Sequence, residues 1–189
     1  MSPILGIYAS SMQPALNATS YESIATVTVG AGGSSTITFS SIPSTYKHLQ
    51  IRWIARASTS GENALKLSFN SDTTNGNYKS HYLEGSGSSA VAGAIAAANY
   101  AFCYAVAGSD ASANVFGAGV VDILDYTNTN KNKTVRILGG YDSNGSGYMD
   151  FDSAVWLSTN AITSINIILD GSANFAQYSS LALYGIKGA

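Results

Sequence analysis

The chain has 189 residues, of which 46% are hydrophobic and 11% are charged, and its formal net charge is −2. A chain of this length suits one domain with a substantial core, and its apolar fraction is too high for a disordered protein. The slight negative charge excludes a typical nucleic-acid-binding domain, which needs a basic face to release counterions from phosphates.

The first twenty residues differ from the rest because they lack regular alternation of apolar and polar side chains. We interpret residues 1–20 as an N-terminal arm, which either reaches onto a neighbouring subunit or adds a strand to its own domain. Residues 21–189 form the predicted single domain. The N-terminus has no basic region and no long apolar run, so we expect no signal peptide and synthesis in a cytoplasm.

Period-two alternation predicts β-strands along most of the domain. Residues 24–29 alternate, and the Gly-rich run 30–33 supplies the positive φ angles of a hairpin turn before a return strand with Ile37 and Phe39. The next strand has one apolar face, made of Leu49, Ile51, Trp53 and Ala55. Further strands are predicted around residues 65–69, 81–84, 121–126, 134–138, 149–155, 165–169 and 181–184.

Roughly ten short strands separated by Gly, Ser, Asn and Asp clusters favour an all-β fold, namely an antiparallel β-sandwich or jelly-roll-like single domain. The Ala-rich, uncharged segment 90–108 is the only plausible helix. Its length would span a bilayer, but its Ala and Gly content and the lack of flanking Lys or Arg clusters argue against insertion. We expect this segment to pack inside the domain or against a partner subunit, and no membrane contact is predicted.

Few residues suit catalysis. His48 and His81 are the only histidines, no Gly-x-Ser-x-Gly motif is present, and both histidines are interpreted as structural strand residues. Asp150 and Asp152 share one face of a predicted strand near Asp142, as a glycosidase acid pair would, but a polar strand edge is the simpler interpretation. We therefore predict no catalytic residues and no enzyme activity.

Metal and cofactor sites are not expected either. Residues 142–147 (DSNGSG) resemble the first half of an EF-hand calcium loop, but the twelfth position is Ser153 instead of glutamate, and an Asn-Gly hairpin explains the same residues. Cys103 stands alone between Phe102 and Tyr104, which predicts a small buried side chain, no intrachain disulfide and no zinc site built from cysteines.

Three segments resemble a family of tailed-bacteriophage structural proteins. They are residues 38–52 (TFSSIPSTYKHLQIR), residues 125–129 (DYTNT) with Lys131 and Lys133, and residues 174–186 (NFAQYSSLALYGI). The likeness extends from about Tyr21 to Ile186. Because members of this family are mostly described as virion, tail or capsid-associated proteins, the resemblance implies a virion component and brings no catalytic residue with it.

The charged fraction is less than half of the roughly 25% usual for soluble domains, so Ser, Thr, Asn, Gly and Tyr cover much of the surface. Arg52 and Arg56 come nearest to a basic patch and are interpreted as a solvated strand face. A surface so poor in charge suits contacts with other polypeptides. We expect a capsid decoration or cement protein, located in the virion, that forms a homo-oligomer and contacts the major capsid protein or tail proteins.

The alternative is a tail or fibre component that binds host-surface carbohydrate. Twelve tyrosines and two tryptophans are available as stacking platforms for sugar rings. Trp53 and Trp156 are the tryptophan candidates, but their positions in alternating strands also fit the core. Binding to a glycan array would distinguish this alternative from the first expectation.

Overall fold

The structure is a computed structural model that describes residues 20–188. This part of the chain forms twelve β-strands, and its only helical element is a short 3-10 turn at Asp170–Ser172. The strands are β1 (Tyr21–Thr28), β2 (Thr36–Phe39), β3 (His48–Ala55), β4 (Asn63–Phe69), β5 (Tyr78–Gly85), β6 (Ala90–Ala98), β7 (Ala101–Val106), β8 (Gly117–Leu124), β9 (Lys133–Asp142), β10 (Gly147–Trp156), β11 (Ile165–Leu169) and β12 (Ser180–Ile186).

The strands form two sheets, and all strand pairs within them are antiparallel. The larger sheet has eight strands in the order β1-β12-β3-β8-β9-β10-β5-β6, and the smaller has four in the order β2-β11-β4-β7. The smaller sheet packs on one face of the larger, with β7 against β9 and β10. The predicted all-β sandwich is confirmed. Within residues 20–188, no helix has the length and apolar character needed to cross a membrane.

The core lies between the two sheets and follows the predicted alternation. In β3, the side chains of Leu49, Ile51 and Trp53 are buried, whereas Arg52 and Ile54 on the other face are exposed. Strands β4 and β11 of the smaller sheet supply the opposing aliphatic side chains, among them Leu65, Leu67, Ile165 and Ile167. Burying one such side chain stabilises the fold by about 1.5–3 kcal/mol, so this interface is the main source of stability.

The predicted hairpin between the first two strands is wrong. β1 pairs with β12 in the larger sheet, whereas β2 pairs with β11 in the smaller one. The Gly-rich run still turns, because the Gly33 amide donates a hydrogen bond to the Gly30 carbonyl. It carries the chain from one sheet to the other. Local turn chemistry fixed the bend, but the pairing partners came from distant strands.

The Ala-rich segment 90–108 is not a helix. It forms β6 and β7, joined by Asn99 and Tyr100, and each strand lies at the edge of a different sheet. β7 is largely buried between the sheets, as expected for small residues packed inside the domain, whereas most of β6 is exposed. Of the expected N-terminal arm, residues 1–19 lie outside the described part of the chain.

A cluster of three buried aromatic rings fills one end of the sandwich. The Trp156 ring lies 5.6 Å from the Phe69 ring and stacks at 6.4 Å on the Tyr78 ring. The Asp72 carboxylate accepts a hydrogen bond from Trp156 Nε1 at 2.7 Å, and the Asp72 carbonyl accepts one from the Tyr78 hydroxyl at 3.0 Å. The loop between β4 and β5 is therefore anchored to the core.

The other buried indole, Trp53, lies on two glycines of the neighbouring strands. A Cβ at Gly119 would come within 2.6 Å of the Trp53 ring, and one at Gly139 within 2.8 Å. Any larger side chain at these positions would clash with the ring, so the glycines make the space that Trp53 fills. Both tryptophans are core residues.

Candidate functional site

The face of the eight-stranded sheet that points away from the smaller sheet, here called the outer face, carries a polar row. The row runs across the sheet through Gln50, Asp122, Arg136, Ser153 and His81, which are paired in register. Gln50 Nε2 donates to Asp122 Oδ1 at 2.8 Å, and Arg136 donates to the Ser153 hydroxyl at 2.7 Å. Two neighbouring pairs of the row are therefore joined by hydrogen bonds.

An apolar patch lies two residues further along the same strands. It consists of Leu83, Leu138, Met149 and Phe151, and we call it the outer patch. Leu138, Phe151 and Leu83 are direct neighbours across β9, β10 and β5. All four are exposed, Met149 at 64% and Phe151 at 47% of the full accessible area of the residue. Contiguous apolar side chains of this size on a soluble domain are typical of a contact surface.

A shallow groove continues the outer patch towards β8. Its volume is about 550 Å³, and Val120, Leu138 and Met149 line it together with Gly139 and Gly140. Gly140 has no side chain to fill this space, whereas Gly139 contributes only backbone here because its inner side faces the Trp53 ring. The groove and the outer patch together form one apolar area on the outer face.

The larger sheet ends beside the outer patch in the edge strand β6. Its nine residues, AVAGAIAAA, contain no charge and no proline. Ala90 and Ala92 lie opposite Gly85 and Leu83, so they extend the apolar area to the edge. Natural proteins usually protect an exposed edge strand with charges, proline or a bulge, because its free backbone groups can pair with another strand. The described edge has no Lys, Glu or Pro of its own, although a register shift interrupts its pairing at the Tyr78 end.

The histidines lie where the sequence predicted, in strand β3 and strand β5. His48 Nδ1 accepts a hydrogen bond from the Asp125 amide at 2.9 Å, which fixes the end of β8. His81 is exposed on the outer face opposite Ser153. Within residues 20–188, neither histidine is hydrogen bonded to a Ser or Cys side chain that it could activate as a catalytic base. The structural interpretation fits both of them.

The two arginines do not form a basic patch. Arg52 lies over the rings of Tyr21 and Tyr184 on the outer face, as an exposed strand residue. Arg56 is half-buried, and its guanidinium donates to four backbone carbonyls of the loop between β7 and β8, at 2.7–2.9 Å. The solvated-face interpretation is therefore right for Arg52 and wrong for Arg56, which holds a loop in place.

The loop at residues 142–147 is an Asn-Gly hairpin turn between β9 and β10. Asn144 and Gly145 both have positive φ angles, 59° and 91°, as a type I′ turn requires. The Asp142 carboxylate accepts a hydrogen bond from the Gly145 amide at 3.1 Å. The hairpin alternative for this loop is confirmed.

A polar cavity of about 270 Å³ lies beside this hairpin. Tyr141 and Tyr148 line it with their rings 6.1 Å apart, and Glu62 and Asp110 line the opposite side. Sugar-binding sites combine aromatic faces with carboxylates in this way. At this cavity the aromatic side chains available to a ligand are Tyr141 and Tyr148, whereas Trp53 and Trp156 are buried in the core.

Asp150 and Asp152 do share one face of β10, as predicted, but they do not form a polar strand edge. Both side chains point between the sheets, where they are 1% and 2% exposed. Cys103 of β7 faces them, and one donor atom from each of the three residues lies within 4.8 Å of the other two. Asp150 Oδ2 accepts a hydrogen bond from the Tyr104 amide at 2.6 Å. We call Cys103, Asp150 and Asp152 the buried cluster.

The electrostatics of the buried cluster are unusual for a core. Burial, and then the charge of Asp150, raise the pKa of Asp152 well above its usual range. Burial also raises the pKa of Glu62 to about 7, and the charges of Glu84 and Asp150 add to the shift. The pKa of the Cys103 thiol is raised by burial and by the charges of Asp150, Asp152 and Glu62. Four of the eleven acidic residues, Glu62, Glu84, Asp150 and Asp152, therefore interact with one another here, and no basic side chain contributes to these pKa shifts.

The orientation of β10 is the opposite of what the start of its sequence suggests, which explains why neither the outer patch nor the buried cluster was predicted. The face with Met149 and Phe151 is the more apolar at its start, yet it points to solvent. The face with Asp150 and Asp152 also carries Ala154 and Trp156, and the burial of Trp156 turns this face inward. The position of Trp156 was the one signal in the sequence that pointed to this arrangement.

No protein-family model, curated protein or solved structure matched the chain in the comparisons. Its function must therefore be inferred from its own residues. Three regions stand out: the outer patch with its groove, the uncharged edge strand β6, and the buried cluster. The first two are accessible to another macromolecule, and the third is enclosed between the sheets.

Proposed function

We propose that this chain is a structural protein of a bacteriophage virion, which decorates the capsid exterior as a homo-oligomer and stabilises the particle. The observation that carries the proposal is the uncharged edge strand β6 next to the outer patch. The resemblance of residues 38–52 and 174–186 to phage structural proteins supports the same assignment.

The outer patch supplies the apolar contact of the proposed interface. Met149 and Phe151 project from β10 with about half or more of their area exposed, and the groove beside them can accept a side chain of a partner. A stable protein–protein interface buries about 1,600 Å² in total, and a few aromatic or aliphatic anchors provide most of its binding energy. Phe151 lies at the centre of the patch, between Leu138 and Leu83, and is the expected anchor.

The edge strand supplies the second contact. The backbone groups on the free side of β6 can pair with a strand of another subunit, and its small side chains allow the two sheets to approach closely. Because β6 has no charge, such pairing meets no electrostatic repulsion. The patch would face the capsid and the edge would join copies of the chain to one another.

The proposal is tested on phage particles that lack this protein. Such particles should lose infectivity faster than complete particles on heating or osmotic shock, and the purified full chain should restore their resistance. The variant Phe151→Glu places a charge in the outer patch and should bind particles at least about 30-fold more weakly, as expected for an interface anchor.

The control is Leu124→Glu, which alters another exposed leucine of the outer face, at the opposite end of β8 from Ala118 and the groove. It should bind and protect like the wild-type chain. Equal stability of particles with and without the protein would argue against a decoration role. Equal loss of binding in both variants would show that the outer patch is not the specific contact.

A second candidate function rests on the cavity between Tyr141 and Tyr148. If the chain is a tail or fibre component, this cavity is the expected site for a host-surface carbohydrate, with the tyrosine rings as stacking platforms and Glu62 and Asp110 as hydrogen-bond acceptors. The purified chain would then bind members of a glycan array, and Tyr148→Ala would abolish that binding. A chain that binds no glycan but protects capsids would support the first proposal alone.

A further inference from the structure

We propose that Cys103, Asp150 and Asp152 form a zinc site that ties the two sheets of the sandwich together. Cys103 lies in β7 of the smaller sheet, and both aspartates lie in β10 of the larger sheet. A metal bound here would link the two layers directly. The inference is independent of the function proposed above, because the buried cluster takes no part in the outer face.

The geometry of the buried cluster suits one small ion. One ligand atom from each of the three residues, a sulfur and two carboxylate oxygens, lies within 4.8 Å of the others. Zinc binds cysteine sulfur at about 2.3 Å and carboxylate oxygen at about 2.0–2.2 Å, so the ligand atoms of a tetrahedral site lie about 3.4–3.6 Å apart, within this limit.

Unsatisfied polar atoms point to a missing positive partner. Asp150 Oδ1 and Asp152 Oδ2 are fully buried and find no hydrogen-bond donor among residues 20–188. Glu62 Oε1 nearby is in the same condition. Buried carboxylate oxygens without a partner are costly, and proteins normally pair them with a donor or a metal. A proton shared by the two aspartates would satisfy one contact between them and leave the buried Glu62 oxygen without a partner.

The ligand types select zinc among the common divalent ions. Calcium and magnesium prefer oxygen ligands throughout, so the Cys103 sulfur would be a poor ligand for either of them. Zinc accepts a mixture of thiolate and carboxylate, and its positive charge offsets the repulsion among the acidic groups. Zinc also replaces the protons that the buried thiol and carboxyl groups would otherwise retain.

The fourth position of a tetrahedral zinc ion is assigned to water. Glu62, which lines the polar cavity with Asp110, has a buried carboxylate oxygen, Oε1, without a hydrogen-bond partner among residues 20–188. Its unpartnered Oε1 is the expected hydrogen-bond acceptor for the zinc-bound water.

Zinc binding is measured on the full chain after treatment with a chelator and dialysis. Added zinc should bind with a stoichiometry of one ion per chain and raise the melting temperature by about 5–10 °C at roughly 100 times its Kd. Calcium and magnesium should produce no comparable shift. Cobalt(II) in place of zinc should give a thiolate-to-cobalt charge-transfer band in the near ultraviolet, which reports the Cys103 ligand directly.

Two ligand variants and one control complete the test. Asp152→Asn should weaken zinc binding by more than the roughly 10- to 100-fold expected for a residue that only supports a ligand. Cys103→Ser should abolish the cobalt charge-transfer band. Asp142→Asn removes one carboxylate from the exposed hairpin and should leave both signals unchanged.

Melting temperatures of the metal-free proteins distinguish the loss of a zinc ligand from a loss of folding. Asp152→Asn removes a buried like-charge contact, so without zinc it should melt no lower than the metal-free wild-type chain. A loss of the zinc shift in this folded variant therefore reports a lost ligand. The proposal is overturned if the wild-type chain shows no zinc shift and no charge-transfer band, or if Asp142→Asn weakens binding as much as Asp152→Asn.

Discussion

Replacing Asp72 with alanine should weaken the fold more than any comparable change in a surface loop. The Asp72 carboxylate accepts hydrogen bonds from Trp156 Nε1 at 2.7 Å, from the Asn77 side chain at 2.8 Å and from the Thr74 amide at 2.9 Å. Trp156 is 2% exposed and stacks on Tyr78. Asp72→Ala removes the acceptor from all three donors at once.

The expected cost follows from the burial of each donor. Leaving the buried indole N–H of Trp156 without a partner costs about 1–3 kcal/mol, whereas water can replace the carboxylate at Thr74 and Asn77 for roughly a few tenths of a kcal/mol each. The total is about 2–3 kcal/mol. In a chain of this size, each kcal/mol lowers the melting temperature by about 2–4 °C, so we expect a fall of roughly 5–10 °C.

The pH dependence of this loss provides an independent check. Burial raises the pKa of the Asp72 carboxyl, but the hydrogen bonds from Trp156, Thr74 and Asn77 lower it by more, to about 2. The folded-state pKa lies below the unfolded value of 3.8. The ionised carboxylate therefore stabilises the fold fully above pH ~4, and this contribution disappears as the pH falls towards ~2.

Urea denaturation followed by tryptophan fluorescence measures the free energy of unfolding across this pH range. The difference between the wild-type chain and Asp72→Ala should be largest at neutral pH and shrink between pH ~4 and ~2. Asp72→Asn keeps the shape and one acceptor oxygen, and should fall between the two. A difference below about 0.5 kcal/mol at neutral pH, or one that stays constant down to pH ~2, would refute this account of Asp72.

Two further substitutions test the packing of the core. Lys133→Met should lower the free energy of unfolding by about 2–4 kcal/mol in denaturant titrations, because the fully buried Lys133 ammonium donates to three loop carbonyls at 2.7–3.0 Å. Lys79→Met, on the exposed outer face, should change the free energy of unfolding little. Equal effects of the two substitutions would contradict this role of Lys133. Gly139→Ala should cost about 1–3 kcal/mol in thermal melts because its Cβ would lie 2.8 Å from the Trp53 ring, whereas Gly30→Ala meets no atom within 4 Å and should be neutral.

The strands of the core were predictable from the alternation of side chains. In β3, β4 and β11 one face is continuously apolar, so burying that face removes more apolar surface from water than burying the other face would. The same rule fails at β10, where each face mixes apolar and polar residues. There the large Trp156 joins the aromatic cluster, and its burial carries Asp150 and Asp152 inward along the same face.

Strand pairing could not be predicted from local sequence either. The Gly-rich turn after β1 looks like a hairpin, yet β1 and β2 find their partners near the C-terminus, in β12 and β11. The Ala-rich segment consists mostly of Ala and Gly, and its few large side chains do not alternate with polar residues, so it gave no strand signal. Its division into the edge strands β6 and β7 depends on β5 and β4, to which they pair.

The sequence by itself determined the fold class, the core of β3 and the Asn-Gly hairpin, because each follows from residues close together in the chain. Only the tertiary structure decided which sheet each strand joins, that Met149 and Phe151 face solvent, and that Cys103 meets Asp150 and Asp152. Many of these features depend on contacts between residues far apart in the chain, such as β1 with β12 and Cys103 with Asp150. Such contacts are set by the packing of whole sheets, which local side-chain patterns do not encode.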